Sequence, residues 1–348
     1  MFYPWRNIGC MKDDPHHTSL FEFCDWINQF YITSTASGLY LPPARSNLLL
    51  SCLAISIATT KRTATTGRAA SLVVSSVRGA LNDILYGDSE ALLGKWFKRT
   101  GKRDQIFLST KFGYVKGAQL GNIDSSAAYA KSACAESLKI LGIDSIDLYW
   151  LHRPNRETPI EETMRAMVEL KKAHKIHPVS AIQMEHSPFT LDIEGPEGTD
   201  LLATCRELGV AVICYSPLSR GLLTETFTKN EPVTDEKDLR WAAFPRFNEN
   251  VRDANVKLVN GFKALADKRG CTTSQLALAW LLKQGDDIFP IPGTKRIQYL
   301  EENWAALDVK LTDEDELEIR TFVQNNKIAG GRLPEKYNKG LVDTKAES

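Results

Sequence analysis

Two stretches decide the fold: IFLSTKFG at residues 106–113 and IDLYWLHRP at 146–154, separated by a helical segment from Ser125 to Leu141 that Gly142 stops. Each is a short apolar run ending in polar residues, as a buried strand requires, and the segment between has helical spacing. Working outward, Ser89 to Arg99 places Leu92, Leu93, Trp96 and Phe97 on one helical face. After 154, the TPIE stretch at 158–161 predicts a helix opened by a Thr158 cap, a first-turn proline and a capping-box glutamate. AIQM at 181–184 is the next strand, followed by a helix from about Asp200 to Leu208 and a strand at 210–215. Helices near Asn255–Lys268 and Thr273–Lys283 lead to the strand IFPI at 288–291, and helices at Ile297–Leu307 and Asp313–Val323 follow.

Strand and helix alternating through short loops imply a parallel α/β sheet. No G-x-G-x-x-G follows any strand, which removes the usual fingerprint of an open dinucleotide-binding sheet and favours a closed (β/α)8 TIM-type barrel. In such a barrel the site lies at the strand C-termini. Lys111, His152 and Tyr215 each stand at a strand exit. Any one of them alone suits a structural role; their joint placement points to a site.

The bulk numbers narrow the function classes. The 348 residues are 43% apolar and 25% charged, with 43 basic against 43 acidic side chains. Zero net charge gives no field to gather nucleic acid or an anionic membrane, so a small-molecule substrate is expected. Seven cysteines without a C-x-x-C pair suit reduced thiols in the cytoplasm and offer no metal site. The start lacks a basic region followed by an apolar core, so no signal peptide is expected. The apolar run at 47–58 is too short to span a bilayer and is expected to be buried.

Several motifs, taken in order, resemble the aldo-keto reductases, and more closely the microbial and fungal branch with pyridoxal-reductase-like members. LYGDSEALLG at 85–94 is similar to the segment carrying the catalytic tyrosine, which implies that role for Tyr86. LSTKFG at 108–113 implies Lys111 as the catalytic lysine, and IDLYWLHRP implies His152 as the catalytic histidine. AIQMEHS at 181–187 resembles the segment whose glutamine, here Gln183, holds the nicotinamide amide; the family usually has tyrosine where this chain has His186. YSPLSRGLL at 215–223 resembles the loop that stacks on nicotinamide and wraps the pyrophosphate, implying Tyr215, Ser216, Leu218 and Arg220. PGTKRIQYLEEN at 292–303 resembles the grip on the 2′-phosphate and adenine. It implies Gly293, Thr294, Lys295, Arg296, Gln298, Glu302 and Asn303. The resemblance covers about residues 84 to 330 and implies NADPH-dependent reduction of an aldehyde or ketone, with no metal. Two adjacent cations where a helix begins favour NADP over NAD.

Two departures from the family pattern stand out. The family aspartate five residues before the tyrosine is Leu81 here. Asp83 would lie about 6.6 Å further along an extended strand, too far for the same contact. Near 173–178 a strand and helix of the family are missing, and nothing upstream of the tyrosine resembles the family's first two strands. The expected architecture is therefore an incomplete barrel with the first two strands and the fifth replaced or missing, and pieces at 48–56 and 72–74 partly filling in. Residues 1–80 form a poorly specified segment, 81–330 the barrel and 331–348 a mobile tail. Three alternatives compete with an active reductase: a catalytically impaired, cofactor- or partner-binding relative; a chain altered by mis-splicing; and a Schiff-base lyase using Lys111. Substrate identity and oligomeric state are not legible.

Overall fold

The computed structural model describes residues 89–115, 122–176, 181–195, 198–228, 240, 244–294 and 296–332, and the backbone of 54–56 and 72–75. Within these, the chain divides near residue 180 into two compact units. Their strands form two sheets, one of four and one of three.

In the first unit, β1 (Ala54–Ser56) pairs antiparallel with β2 (Leu72–Ser75), and β2 pairs parallel with β3 (Ile106–Phe112). β4 (Leu148–Leu151) is parallel to β3, with Lys111 opposite Trp150. β2 thus takes the place beside β3, as the sequence suggested for 72–74, whereas the antiparallel β1 departs from barrel pairing. Among the described residues, three helices accompany the sheet: α1 (Ser89–Thr100), α2 (Ala127–Leu141) and α3 (Ile160–Lys172). Ser126 caps α2 by accepting the Tyr129 N–H at 3.2 Å, and Gly142 ends it with φ 66°. α1 comes so close to the end of α2 that a Cβ on Gly94 would stand 2.7 Å from the Ile140 carbonyl.

The expected cap at the start of α3 is not made. Pro159 holds the N-cap position without a side-chain bond, and the Thr158 N–H instead donates to the Asn155 carbonyl. The neighbouring Glu162 reaches out to the Ala127 N–H at 3.0 Å, so it serves the first turn of α2. After α3, Ile176 makes a single parallel bridge to Ile146. The residues that follow it, 177–180, lie outside the described residues.

In the second unit, β5 (Ala181–Glu185), β6 (Ala211–Tyr215) and β7 (Ile288–Pro290) are parallel in that order. Among the described residues its α-helices include α4 (Leu201–Glu207), α5 (Glu225–Thr228), α6 (Glu249–Lys268), α7 (Thr273–Lys283), α8 (Ile297–Ala305) and α9 (Asp313–Asn325). α6 begins six residues earlier than its apolar stripe suggests, because the polar first turn around Arg252 and Asp253 carries no periodic signal. Capping boxes at Thr272–Gln275 and Thr312–Asp315 start α7 and α9. α7 is apolar almost all round, and its Leu276, Trp280 and Leu281 are fully buried with Val259 and Phe262 of α6. Side chains of this size each contribute roughly 2 kcal/mol by leaving water.

Candidate active site

Alternation along β3 and β4 assigns the two faces of the first sheet. Phe112 and Tyr149 stack at 4.8 Å on the face covered by α2 and α3, and on that face the Tyr149 hydroxyl donates to the Ala130 carbonyl. Ser109 and Lys111, with Trp150 and then His152 beyond it, fall on the opposite face. There the Trp150 indole N–H donates to Ser109 Oγ at 2.6 Å. The lower end of both strands is fixed by Asp147, which accepts from the Leu108 N–H at 2.7 Å and pairs with Arg103 at 2.8 Å. The upper end is fixed by the His152 N–H, which donates to the Phe112 carbonyl at 2.8 Å. Lys111 and His152 therefore leave neighbouring parallel strands on the same side, two residues out of step.

Their surroundings set their charges. Lys111 is only 7% exposed. Burial, reinforced by the Arg153 cation, brings its pKa from 10.5 down to about 8. Burial, then the charges of Lys111 and Arg153, press His152 down to about 3, so its imidazole is neutral at physiological pH. The Tyr114 ring meets that imidazole edge-on at 4.9 Å and fixes its plane. Glu90 is buried nearby, but it accepts from Thr110 Oγ1 at 2.6 Å and so belongs to the helix-side face rather than to that of Lys111. Tyr86, Leu81 and Asp83 lie outside the described residues, as does Lys295.

In the second unit the sequence-nominated residues gather at the C-terminal ends of β5 and β6 and at the start of α8. Gln183 lies within β5, and Tyr215 ends β6 half-buried. The turn that follows holds three non-glycine residues in the left-handed region: Ser216 (φ 52°), Ser219 (φ 48°) and Arg220 (φ 61°). Each costs roughly 1 kcal/mol, and such strain clusters at functional sites. The turn persists because it is pinned from several directions. The Ser219 N–H donates to the Ser216 carbonyl at 2.8 Å, Ser219 Oγ meets Ser187 Oγ at 2.8 Å, and Arg240 donates to the Arg220 carbonyl at 3.1 Å. Leu218 packs on the core below.

Arg220 Nε is a buried donor with no acceptor. An anionic group at this turn would satisfy it, so these residues fit the pyrophosphate of a dinucleotide. At α8, Arg296 is the N-cap residue; its backbone N–H donates to Thr294 Oγ1 at 3.2 Å and its guanidinium lies 5.6 Å from the Tyr299 ring. Gly293 faces open space. Gln298 is exposed, whereas Asn303 is buried and the Glu302 carboxylate already accepts from Thr272 Oγ1 at 2.7 Å.

The structure adds contacts that sequence reasoning did not assign. His186 is fully buried and joins a chain: Nδ1 faces Cys214 Sγ at 3.7 Å, Nε2 meets Glu194 at 2.8 Å, and Glu194 pairs with Arg320 at 2.7 Å. Burial pushes the Cys214 thiol up to about 12, so it is no nucleophile. Glu185, 1% exposed, ends β5 among Arg220, Arg246 and Arg332. Burial raises its pKa against the pull of those three cations. The one available signal was a glutamate closing an otherwise uncharged strand.

The model of the Aldo/keto reductase family matches residues 83–177 and 171–323. The two matches overlap at residues 171–177, beside the stretch where the sequence departs from the family pattern. Aldo-keto reductase yakc [NADP(+)] of Schizosaccharomyces pombe is 43% identical over 270 residues, which is 72% of this chain and 78% of that protein. Aldo-keto reductase str7 of Strobilurus tenacellus is 43% identical over 267 residues, covering 71% and 77%. Among solved structures, the glycerol dehydrogenase AKR11B4 of Gluconobacter oxydans aligns with TM-score 0.62 at 23% identity, covering 79% of this chain and 84% of that one. The thermostable aldo-keto reductase Tm1743 aligns with TM-score 0.52 at 24% identity, covering 71% and 81%. These likenesses show the fold: an α/β barrel of the TIM type, here incomplete.

Proposed function

Because this chain belongs to the aldo/keto reductase family of oxidoreductases, we propose that it uses NADPH to reduce an aldehyde or ketone to the alcohol. When bound, the dinucleotide supplies the hydride. The chain's own side chains handle the proton and the charge. Tyr86 gives its phenolic proton to the carbonyl oxygen and recovers one from water. Lys111, with a pKa of about 8, is still mainly an ammonium at pH 7 and favours the phenolate left on Tyr86. His152 is neutral, so it hydrogen-bonds the carbonyl oxygen and orients it without competing for the proton. With Arg153 beside them, Lys111 places positive charge near that oxygen, which stabilises charge developing on it.

Cofactor binding falls to Gln183, Tyr215, Ser216, Leu218 and Arg220 for the nicotinamide and pyrophosphate. Gly293, Thr294, Lys295, Arg296, Gln298, Glu302 and Asn303 hold the adenosine end, and the cations Lys295 and Arg296 favour a 2′-phosphate. No helix among the described residues is long and apolar enough to cross a membrane. Cys134, Cys205, Cys214 and Cys271 are free thiols, which suits a reducing cytoplasm.

One observation carries this reading: a buried lysine and a neutral histidine share one face at the ends of adjacent parallel strands. Such paired perturbation of neighbouring titratable groups is a mark of a reactive site. The test is to titrate the purified chain with NADPH by fluorescence and then to follow NADPH oxidation with a generic aromatic aldehyde. Saturable binding with turnover supports a reductase. A second reading, a reductase-like protein with impaired catalysis, is favoured by Leu81 in the aspartate position and by the family strand and helix missing near 173–178. Binding without turnover would select it.

A further inference from the structure

A buried carboxylate is costly unless cations surround it. For Glu185 the cations come from three separate segments: Arg332 at 3.6 Å, Arg220 at 3.8 Å and Arg246 at 3.9 Å. Arg246 is further held by Thr190 Oγ1 at 3.2 Å, and Arg332 also reaches Asp192 at 3.5 Å. Three guanidiniums thus face two carboxylates, leaving one surplus positive charge. None of the three contacts to Glu185 is a close, directed bond. Glu185 Oε2, Arg220 Nε and Arg246 Nε have no hydrogen-bond partner. Thr190 Oγ1 donates to Glu185 over a long 3.5 Å, so charge governs how the guanidiniums sit about the carboxylate.

Arg332 is brought there by a strap. Asn255, buried at the start of α6, donates its amide N–H groups to the Arg246 carbonyl at 2.8 Å and the Ala329 carbonyl at 2.9 Å, and it accepts the Ala329 N–H at 2.9 Å. One side chain thereby satisfies both backbone groups of Ala329. Gly330, at φ 85°, lies so near the Pro245 carbonyl that a Cβ would stand 2.7 Å from it. Residues 329–332 are therefore laid against the turn before α6, which delivers Arg332 to Glu185. On the other side, Arg220 belongs to the strained turn after β6, and its guanidinium lies 4.3 Å from the Phe244 ring.

We propose that Glu185 is a positioning residue that joins the C-terminal strap, through Arg332, to the cofactor turn, through Arg220, and so sets the affinity for the anionic part of the cofactor. This rests on the reading that the turn at 216–221 holds the dinucleotide pyrophosphate. With Arg332 in place, the Glu185 charge is shared and the Arg220 guanidinium is left available to phosphate. Without Arg332, Glu185 draws Arg220 towards itself. Without the Glu185 charge, the cluster holds three cations and attracts phosphate more strongly.

The two substitutions therefore move affinity in opposite directions, which a purely structural role would not do. In the full-length protein, NADPH dissociation constants are measured by fluorescence titration, with melting temperatures recorded alongside. Arg332→Ala should weaken NADPH binding about ten-fold, Arg332→Lys should restore most of it, and Glu185→Gln should tighten binding several-fold while lowering the melting temperature. Arg220→Ala serves as the control. If it leaves the affinity unchanged, or the unaltered protein binds no NADPH, the cofactor-turn reading falls and this proposal with it. If Arg220→Ala weakens binding while Arg332→Ala and Glu185→Gln shift affinity in the same direction or not at all, the proposal alone is overturned.

Discussion

Replacing Lys111 with methionine should make the protein more stable while abolishing turnover, and the size of the gain follows from the burial of the ammonium. Its pKa falls from 10.5 to about 8, with burial the larger cause and Arg153 the smaller. At about 1.4 kcal/mol per pH unit, that difference amounts to about 3 kcal/mol of folding free energy. The sign follows from proton uptake. Between pH 8 and 10.5 the unfolded chain binds the proton more tightly than the folded one, so stability rises with pH across that window. Below about 8 the penalty is present in full. Methionine has a similar length and carries no charge, so Lys111→Met should gain up to about 3 kcal/mol at pH 7. The gap to the unaltered protein should narrow as pH rises. Urea unfolding midpoints at pH 7 and pH 9.5 for both proteins measure this directly. A methionine variant no more stable at pH 7, or a gap unchanged at pH 9.5, would refute the claim that the folded site holds a desolvated cation. Stability gained where activity is lost is the behaviour of a residue kept for chemistry rather than packing.

Four further outcomes are expected. The reductase kcat/KM should fall about ten-fold per pH unit above about 8 as Lys111 loses its proton, with no limb from His152 between pH 5 and 8, because that group is already neutral; a rate profile from pH 5 to 9.5 checks both. Leu81→Asp should raise kcat by about ten-fold or more by returning a carboxylate to the position from which the family pairs the lysine, read in the same aldehyde assay. Gly94→Ala should cost about 2 kcal/mol in urea unfolding, since its Cβ would press to 2.7 Å on the Ile140 carbonyl and push α1 off α2. Burial pushes the Glu194 carboxyl up, but hydrogen bonds from His186 and Arg320 outweigh it and hold the pKa below 4.5. Its contribution is therefore present above that pH and lost as pH falls below it, and Glu194→Gln should flatten the acid side of the stability profile.

Much of the second unit follows from neighbours in the chain. Thr272 with Gln275 and Thr312 with Asp315 start their helices within four residues, and α7 occupies Thr273–Lys283, the same residues its pattern suggests. Where the sequence reading slipped at α3, local backbone pairing had intervened: the Thr158 N–H donates to the Asn155 carbonyl and Pro159 takes the N-cap position. The polar first turn of α6 was missed for a related reason, since its hydrogen bonds leave no trace in apolar spacing.

The amino-acid order by itself determined the alternating strands and helices, the strand ends carrying Lys111 and His152, and the family, because strands, caps and motifs are properties of a few adjacent residues. Tertiary structure alone decided that β1 runs antiparallel, that Ile146 bridges Ile176, and that His186, Glu194 and Arg320 form a chain. It alone also lowered the Lys111 and His152 pKa values and gathered Arg220, Arg246 and Arg332 around Glu185. The physical reason is that desolvation and Coulomb forces depend on everything packed around a group, and those neighbours come from segments up to 147 positions apart, as Glu185 and Arg332 do.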